Sequence, residues 1–289
     1  MITTAPITTI IQRRYSCRDY DSTPLEEENR QALLRYIEEL PPGPFNKSSR
    51  FALVAASDGD RSALRGLGTY GTIKNPPAFI IGASAEGPLT LEDFGYRMEQ
   101  IILFATGLGL GTCWLGGFFT RSSFAHRIAA RKNEILPAVC SLGYAASDGL
   151  RPSGPAQQPA SRHDRLPWEA LFFDGRFGNP LRPEISGAYQ VPLELVRLAP
   201  SASNKQPWRI LRQGGGWHFY LQRTRGYREL AMSRFTGIAD MQRIDMGIAM
   251  SHFELAALEA GLSGKWVIEE PGIQMLDSLT SYVVTWNPD

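Results

Sequence analysis

Three segments carry residue types that could do chemistry. Arg13-Arg14-Tyr15-Ser16-Cys17-Arg18 sets three guanidinium groups and a hydroxyl within six residues. Guanidinium forks bind phosphate and carboxylate oxygens two at a time, so this spacing describes an anion-binding cluster, with a solvated charge run as the competing reading. Ala199-Pro200-Ser201-Ala202-Ser203-Asn204-Lys205-Gln206-Pro207-Trp208 places hydroxyls and two amides between prolines. Such a stiff loop can read the heteroatoms on the edge of a planar ligand; an ordinary helix-to-strand turn is the alternative. In Gly107-Leu108-Gly109-Leu110-Gly111-Thr112-Cys113-Trp114-Leu115-Gly116-Gly117-Phe118, glycines let backbone N–H groups approach a flat ligand closely. Its G-x-G-x-G string follows a helical stretch rather than a strand, so it fails the context of a dinucleotide-binding fingerprint.

These segments need elements to hold them. Thr23-Pro24-Leu25-Glu26 is a capping box with proline at the first helical position, predicting a helix to about Leu40, where Pro41-Pro42-Gly43 stops it. Strands are expected at 51–56, 78–83 and 138–144. A helix over 91–108 is apolar nearly all round in its later part, which places it inside a core. Residues 146–165 form a Pro/Gly/Gln-rich crossing segment. Beyond it come a helix near 185–197, strands 208–212 and 217–222 flanking Gly214-Gly215-Gly216 as a hairpin, a long helix over 238–262, and strands near Trp266 and 282–286. The mixture is of the α+β class.

The chain resembles itself. Asp93 to Trp114 and Asp245 to Trp266 align without a gap at an offset of 152, with eight identities: Asp93/Asp245, Gly95/Gly247, Met98/Met250, Leu103/Leu255, Ala105/Ala257, Gly109/Gly261, Leu110/Leu262 and Trp114/Trp266. Average residue usage would supply about one or two. Asn46-Lys47 and Asn204-Lys205 form a second match, each following a Pro-containing loop. Two copies exclude a solenoid and predict a fused two-fold dimer, with halves at 1–178 and 179–289. Long apolar helices ending in glycine also look alike by composition alone, which is the plainer account.

Composition narrows the classes. The 289 residues allow one large domain or two ordinary ones, and 43% hydrophobic with 20% charged residues describes a globular chain. A net charge of +1 lacks the basic excess of a nucleic-acid binder. Cys17, Cys113 and Cys140 make no disulfide framework, and the four histidines show no ligand spacing, so neither zinc nor another metal is expected. No signal peptide and no apolar run of about 18 residues is visible, which points to a cytoplasmic chain off the membrane. Nor is there a Ser-His-Asp set or a carboxylate pair.

Taken together, the three segments resemble the nitroreductase family of FMN-dependent oxidoreductases over most of the chain. The family's R-x-S-x-R element stands as Arg14-Tyr15-Ser16-Cys17-Arg18, its A-P-S-x-x-N-x-Q-P-W loop as residues 199–208, and its glycine-rich helix exit as residues 109–118. In the usual member the first two elements lie a few dozen residues apart. Here nearly 190 residues separate them, the first half carries only a degenerate loop (Leu40-Pro41-Pro42-Gly43-Pro44-Phe45-Asn46-Lys47-Ser48-Ser49), and the second half has no R-x-S-x-R. Family members are homodimers with FMN at the interface, so the resemblance implies a single-chain pseudo-dimer with one intact FMN site, the second decayed.

The implied roles follow residue by residue. Arg14 and Ser16 would hold the FMN phosphate, with Tyr15 beside them, and Arg18 would stand near the flavin N1–C2=O edge and tune the reduced state. Leu115, Gly116 and Gly117 would aim backbone N–H groups at N5 and O4. Pro200, Ser201 and Asn204 would meet the ribityl chain and ring edge. Arg162-His163-Asp164-Arg165-Leu166-Pro167 makes Arg165 a second phosphate ligand, with Arg162 or His163 as its companion, and Tyr70-Gly71 is a weaker flavin-edge candidate. The implied activity is ping-pong transfer of electrons from NAD(P)H to a nitroaromatic, quinone or enone, a small-molecule acceptor, by a pseudo-dimer contained within one chain. Reductive dehalogenation, flavin cannibalism, a flavin carrier and a decayed scaffold are the alternatives.

Overall fold

The computed structural model describes residues 5–146, 164–226 and 238–289, which divide into two compact units, 5–146 and 164–289. The boundary expected at 178/179 falls inside the second unit, because strand 172–174 pairs in parallel with strand 208–213 there. Most of the crossing segment, residues 147–163 and with them Arg162 and His163, lies outside the described residues.

In the first unit α1 (Ile7–Arg13) packs on the long helix α3 (Thr90–Gly107), and α2 (Glu27–Glu39) packs on both α3 and β1 (Ser49–Ala55). The sheet is built from β1, β2 (Ala78–Ala85), β3 (Gly111–Leu115), β4 (Glu134–Ile135) and β5 (Val139–Gly143), in the order β1-β2-β5-β3 with β4 on β2. All its pairs are antiparallel. Helix α4 (Arg121–Arg127) follows β3. The core behind the sheet holds Phe79, Ile81, Leu115, Phe119, Phe124 and Val139. Cys17, Cys113 and Cys140 are free and buried.

The second unit contains α5 (Trp168–Leu171), β6 (Phe172–Asp174), α6 (Gln190–Leu198), β7 (Trp208–Gln213), β8 (Gly216–Gln222), α7 (Met241–Glu259), β9 (Gly264–Val267) and β10 (Thr280–Pro288). Its sheet runs β6-β7-β8-β10-β9, antiparallel except for β6. The expected hairpin is present, closing at Gln213↔Gly216 around Gly214-Gly215. An aromatic cluster of Phe219, Phe253, Trp266 and Trp286 packs α7 on the sheet.

Setting β6 and β4 aside, the two sheets share one order, β1-β2-β5-β3 and β7-β8-β10-β9, and in each a long helix links the second strand to the next. The repeated residues do the same work in both. Gly109 (φ 81°) and Gly261 (φ 74°) end the helices in the left-handed conformation, and the next residue donates back: Leu110 N–H to Ala105 O and Leu262 N–H to Ala257 O. Asn46 and Asn204 both stand in the left-handed region (φ 51° and 54°). Asp93 accepts the N–H groups of Phe45 and Lys47, and Asp245 that of Ala202, each pinning its own loop to its own helix.

Two expected boundaries shift for local reasons. The capping box does not form, because Asp21 accepts both the N–H and the hydroxyl of Thr23, and α2 begins at Glu27. The helix expected near 185–197 begins only at Gln190, since Gly187 at φ 61° leaves the preceding residues in short 3₁₀ turns.

Candidate functional site

The R-x-S-x-R element runs along the edge strand β3. Ser16 bridges Thr112 in parallel, and the Cys17 N–H donates to Thr112 O at 2.8 Å. The approach is close enough to exclude a side chain at Gly111, whose Cβ would stand 2.8 Å from the Cys17 Cβ. One residue on, the segment changes partner: Lys74 N–H donates to Arg18 O, and Tyr20 N–H to Lys74 O. Arg18 is thus fixed to the strip that follows Tyr70-Gly71.

Arg14 closes α1, donating its N–H to Ile10 O. Its side chain is only 6% exposed, and its Nε lies 4.0 Å from Glu99 Oε1 with no hydrogen-bond partner. A buried, unsatisfied guanidinium nitrogen is costly, and such an atom invites a ligand or an ion. Burial pushes the Cys113 thiol up to about 11, against the pull of Arg18 and Arg14 and a side-chain hydrogen bond with Ser16. That puts Cys113 beneath this cluster as a packed thiol. The Tyr15 side chain packs against the hydrophobic core, where burial raises its hydroxyl to about 12.

Beyond β3, Leu115 is buried in the core, and Gly116-Gly117 lead into a loop held by Arg121. Arg121 donates to Gly116 O and Leu136 O, and its guanidinium lies 4.5 Å from the centroid of the Phe119 ring. Thr120 binds this loop to 66–68 through Gly68 N–H, Gly66 O and its own N–H on Gly68 O.

The loop of the second unit is held from three sides. Arg165 donates to Leu198 O, Ala199 O and Asn204 Oδ1, so this fork is spent on the end of α6 and on the loop itself rather than standing apart as a phosphate ligand. Asn204 donates to Asp164 O, and Gln206 accepts from Leu166 N–H while donating to Asp164 O and Asn204 O. Ser201 accepts the Gln206 N–H at 2.9 Å. Beneath lies Asp245, 1% exposed, with Oδ1 on Ala202 N–H and Oδ2 without a partner. Ser203, Asn204 and Gln206 all take positive φ (50°, 54° and 48°), a concentration of backbone strain of the kind found at ligand clamps. Pro200 opens this loop. Among the described residues no group of side chains could hold a metal, and no helix is long and apolar enough to cross a membrane.

Residues 6–257 match the family model described as "Putative TM nitroreductase". The chain belongs to this nitroreductase family. The fold agrees: a "putative nitroreductase" from Thermotoga maritima superposes with a TM-score of 0.57 at 22% identity, over 98% of this chain and 93% of that one. A nitroreductase family protein from Clostridium difficile (TM-score 0.42, 21% identity) covers 55% of this chain and 92% of its own, and a nitroreductase with bound FMN from Bacteroides fragilis (0.40, 20%) covers 53% and 95%. No curated protein matches the chain.

Sequence reasoning missed Glu99, Arg121, Arg165 as a tether, and Asp245 as a loop anchor. The available signal was a carboxyl at a core-facing position of a long helix, as at Glu99 and Asp245, because a buried carboxyl persists only with a structural or chemical partner.

Proposed function

We propose that this chain is an FMN-dependent oxidoreductase that moves electrons from NAD(P)H to a nitroaromatic, quinone or enone. The observation that carries the reading, beyond family membership, is Arg14: a buried guanidinium with an unpartnered Nε, within the R-x-S-x-R element and beside Ser16 on the edge of β3. A phosphate monoester is a dianion that asks for such a donor set. The residues present therefore fit FMN, which when bound supplies two-electron transfer at its ring system.

In this reading Arg14 and Ser16 bind the phosphate, and Arg18, anchored on Lys74, offers positive charge to the reduced ring. Leu115, Gly116 and Gly117 present backbone N–H groups at the end of β3, with Arg121 fixing that loop. Pro200, Ser201 and Asn204 serve the ribityl chain and ring edge, held in place by Arg165. The chain binds one FMN, and the first unit's loop 40–49, tied down by Asp93, has lost that task. The shared strand order and matching helix ends support descent of the two units from one duplicated ancestor. The protein works in the cytoplasm as a single chain.

Titration of the purified apoprotein with FMN, followed by anaerobic addition of NADH or NADPH, tests this. The expected result is one FMN per chain, bleaching by a pyridine nucleotide, and recolouring by a quinone or a nitroaromatic. A protein that takes up no FMN ends the reading. One that binds FMN but resists both nucleotides is a carrier.

A further inference from the structure

Glu99 sits on α3 with its side chain fully buried. Its Oε2 accepts the indole N–H of Trp114 at 2.7 Å, and its Oε1 faces Arg14 Nε at 4.0 Å. The second unit contains a similar indole–carboxylate bond, Trp266 N–H to Glu254 Oε2 at 2.6 Å, but its carboxylate comes from a position one helical turn later (the counterpart of Glu99 is Ser251), and its sequence has no R-x-S-x-R element. Each unit thus ties its repeated Trp to a carboxylate of its long helix, and in the first unit the buried Arg14 faces that carboxylate. At 4.0 Å the carboxylate and Nε are too far apart for a hydrogen bond yet close enough for strong attraction where water is excluded. Glu99 thus holds the Arg14 guanidinium in place by charge while leaving its Nε without a hydrogen-bond partner. Trp114, on the strand that also carries the Ser16 bridge, fixes where that carboxylate stands.

We propose that Glu99, locked by Trp114, is a positioning residue that orients Arg14 for a phosphate monoester. The proposal rests on the FMN reading above and adds the residue that makes its phosphate site specific.

The test compares FMN with riboflavin, which lacks the phosphate, by fluorescence titration of the apoprotein at several salt concentrations, with inorganic pyrophosphate in a thermal-shift arm. Glu99→Gln removes the charge; Trp114→Phe keeps it and removes only the hydrogen bond that fixes it. Expected is a loss of FMN affinity of about tenfold or more in each variant, in the range seen when outer-shell orienting groups are removed, with riboflavin affinity unchanged. A Glu99→Gln protein that binds FMN more tightly would show a merely repulsive carboxylate and overturn the proposal. Equal losses for FMN and riboflavin would show general packing damage and also overturn it. Wild-type protein that binds pyrophosphate in a Glu99-dependent way but not FMN would uphold the positioning role and sink the flavin reading. Binding of neither sinks both.

Discussion

Arg165 donates a hydrogen bond to the side-chain oxygen of Asn204 at 2.9 Å, so a side chain read as a cofactor ligand is also a pillar of its own loop. Asn204→Ala should lose this bond and the one to Asp164 O while forcing alanine into a left-handed conformation, and we expect a loss of about 2 kcal/mol in urea unfolding. Asn204→Gly accepts the same backbone geometry. Its remaining loss therefore isolates the hydrogen bonds, and a glycine variant as stable as wild type would show that they contribute nothing.

Asp245 supplies the pH dependence. Burial pushes its carboxyl well above the ordinary range, the Ala202 N–H pulls it partly back, and Asp240 raises it further. The folded protein therefore holds this proton at pH values where the unfolded chain, near about 3.9, has released it. Stability from this group is complete below the unfolded value and declines as pH rises toward the folded one. Asp245→Asn keeps an acceptor for Ala202 and cannot ionise. Relative to wild type it should gain stability in chemical denaturation as pH rises above about 4, until the folded carboxyl ionises. A difference that stays flat across that range would refute the assignment.

Gly111 and Gly109 separate two kinds of damage. Alanine at Gly111 would meet Cys17 at 2.8 Å, push the R-x-S-x-R segment off β3, and cost about 1–3 kcal/mol. Alanine at Gly109 meets nothing within 4 Å and suffers only from its φ of 81°, a cost of about 1 kcal/mol. We expect both variants to melt earlier, but only Gly111→Ala to lose FMN affinity. Equal FMN affinity in the two would detach this element from cofactor binding.

Local signals made the frame legible. Apolar periodicity and terminal glycines located α3 and α7 to within a few residues, and Gly214-Gly215 marked the hairpin. What stayed hidden depends on distant partners. Phe172–Asp174 is a strand only because Trp208–Gln213 accepts it in parallel, and that pairing moves the unit boundary. Thr23 looked like a cap, yet Asp21 two residues earlier competes for it successfully. Arg14, Ser16 and Asn204 stood out in the sequence through their motifs, whereas the residues that hold them did not. Glu99 and Asp245 reach across the fold to segments more than 40 residues away, and no local spacing encodes such a contact.

The chain's three thiols are buried, and burial drives each of them toward the protonated, unreactive form. For the experimenter the wild-type protein is therefore a silent background. One cysteine placed on each unit's surface could take a donor and an acceptor dye without removing any native residue, and energy transfer between them would follow the two units in solution as FMN is added.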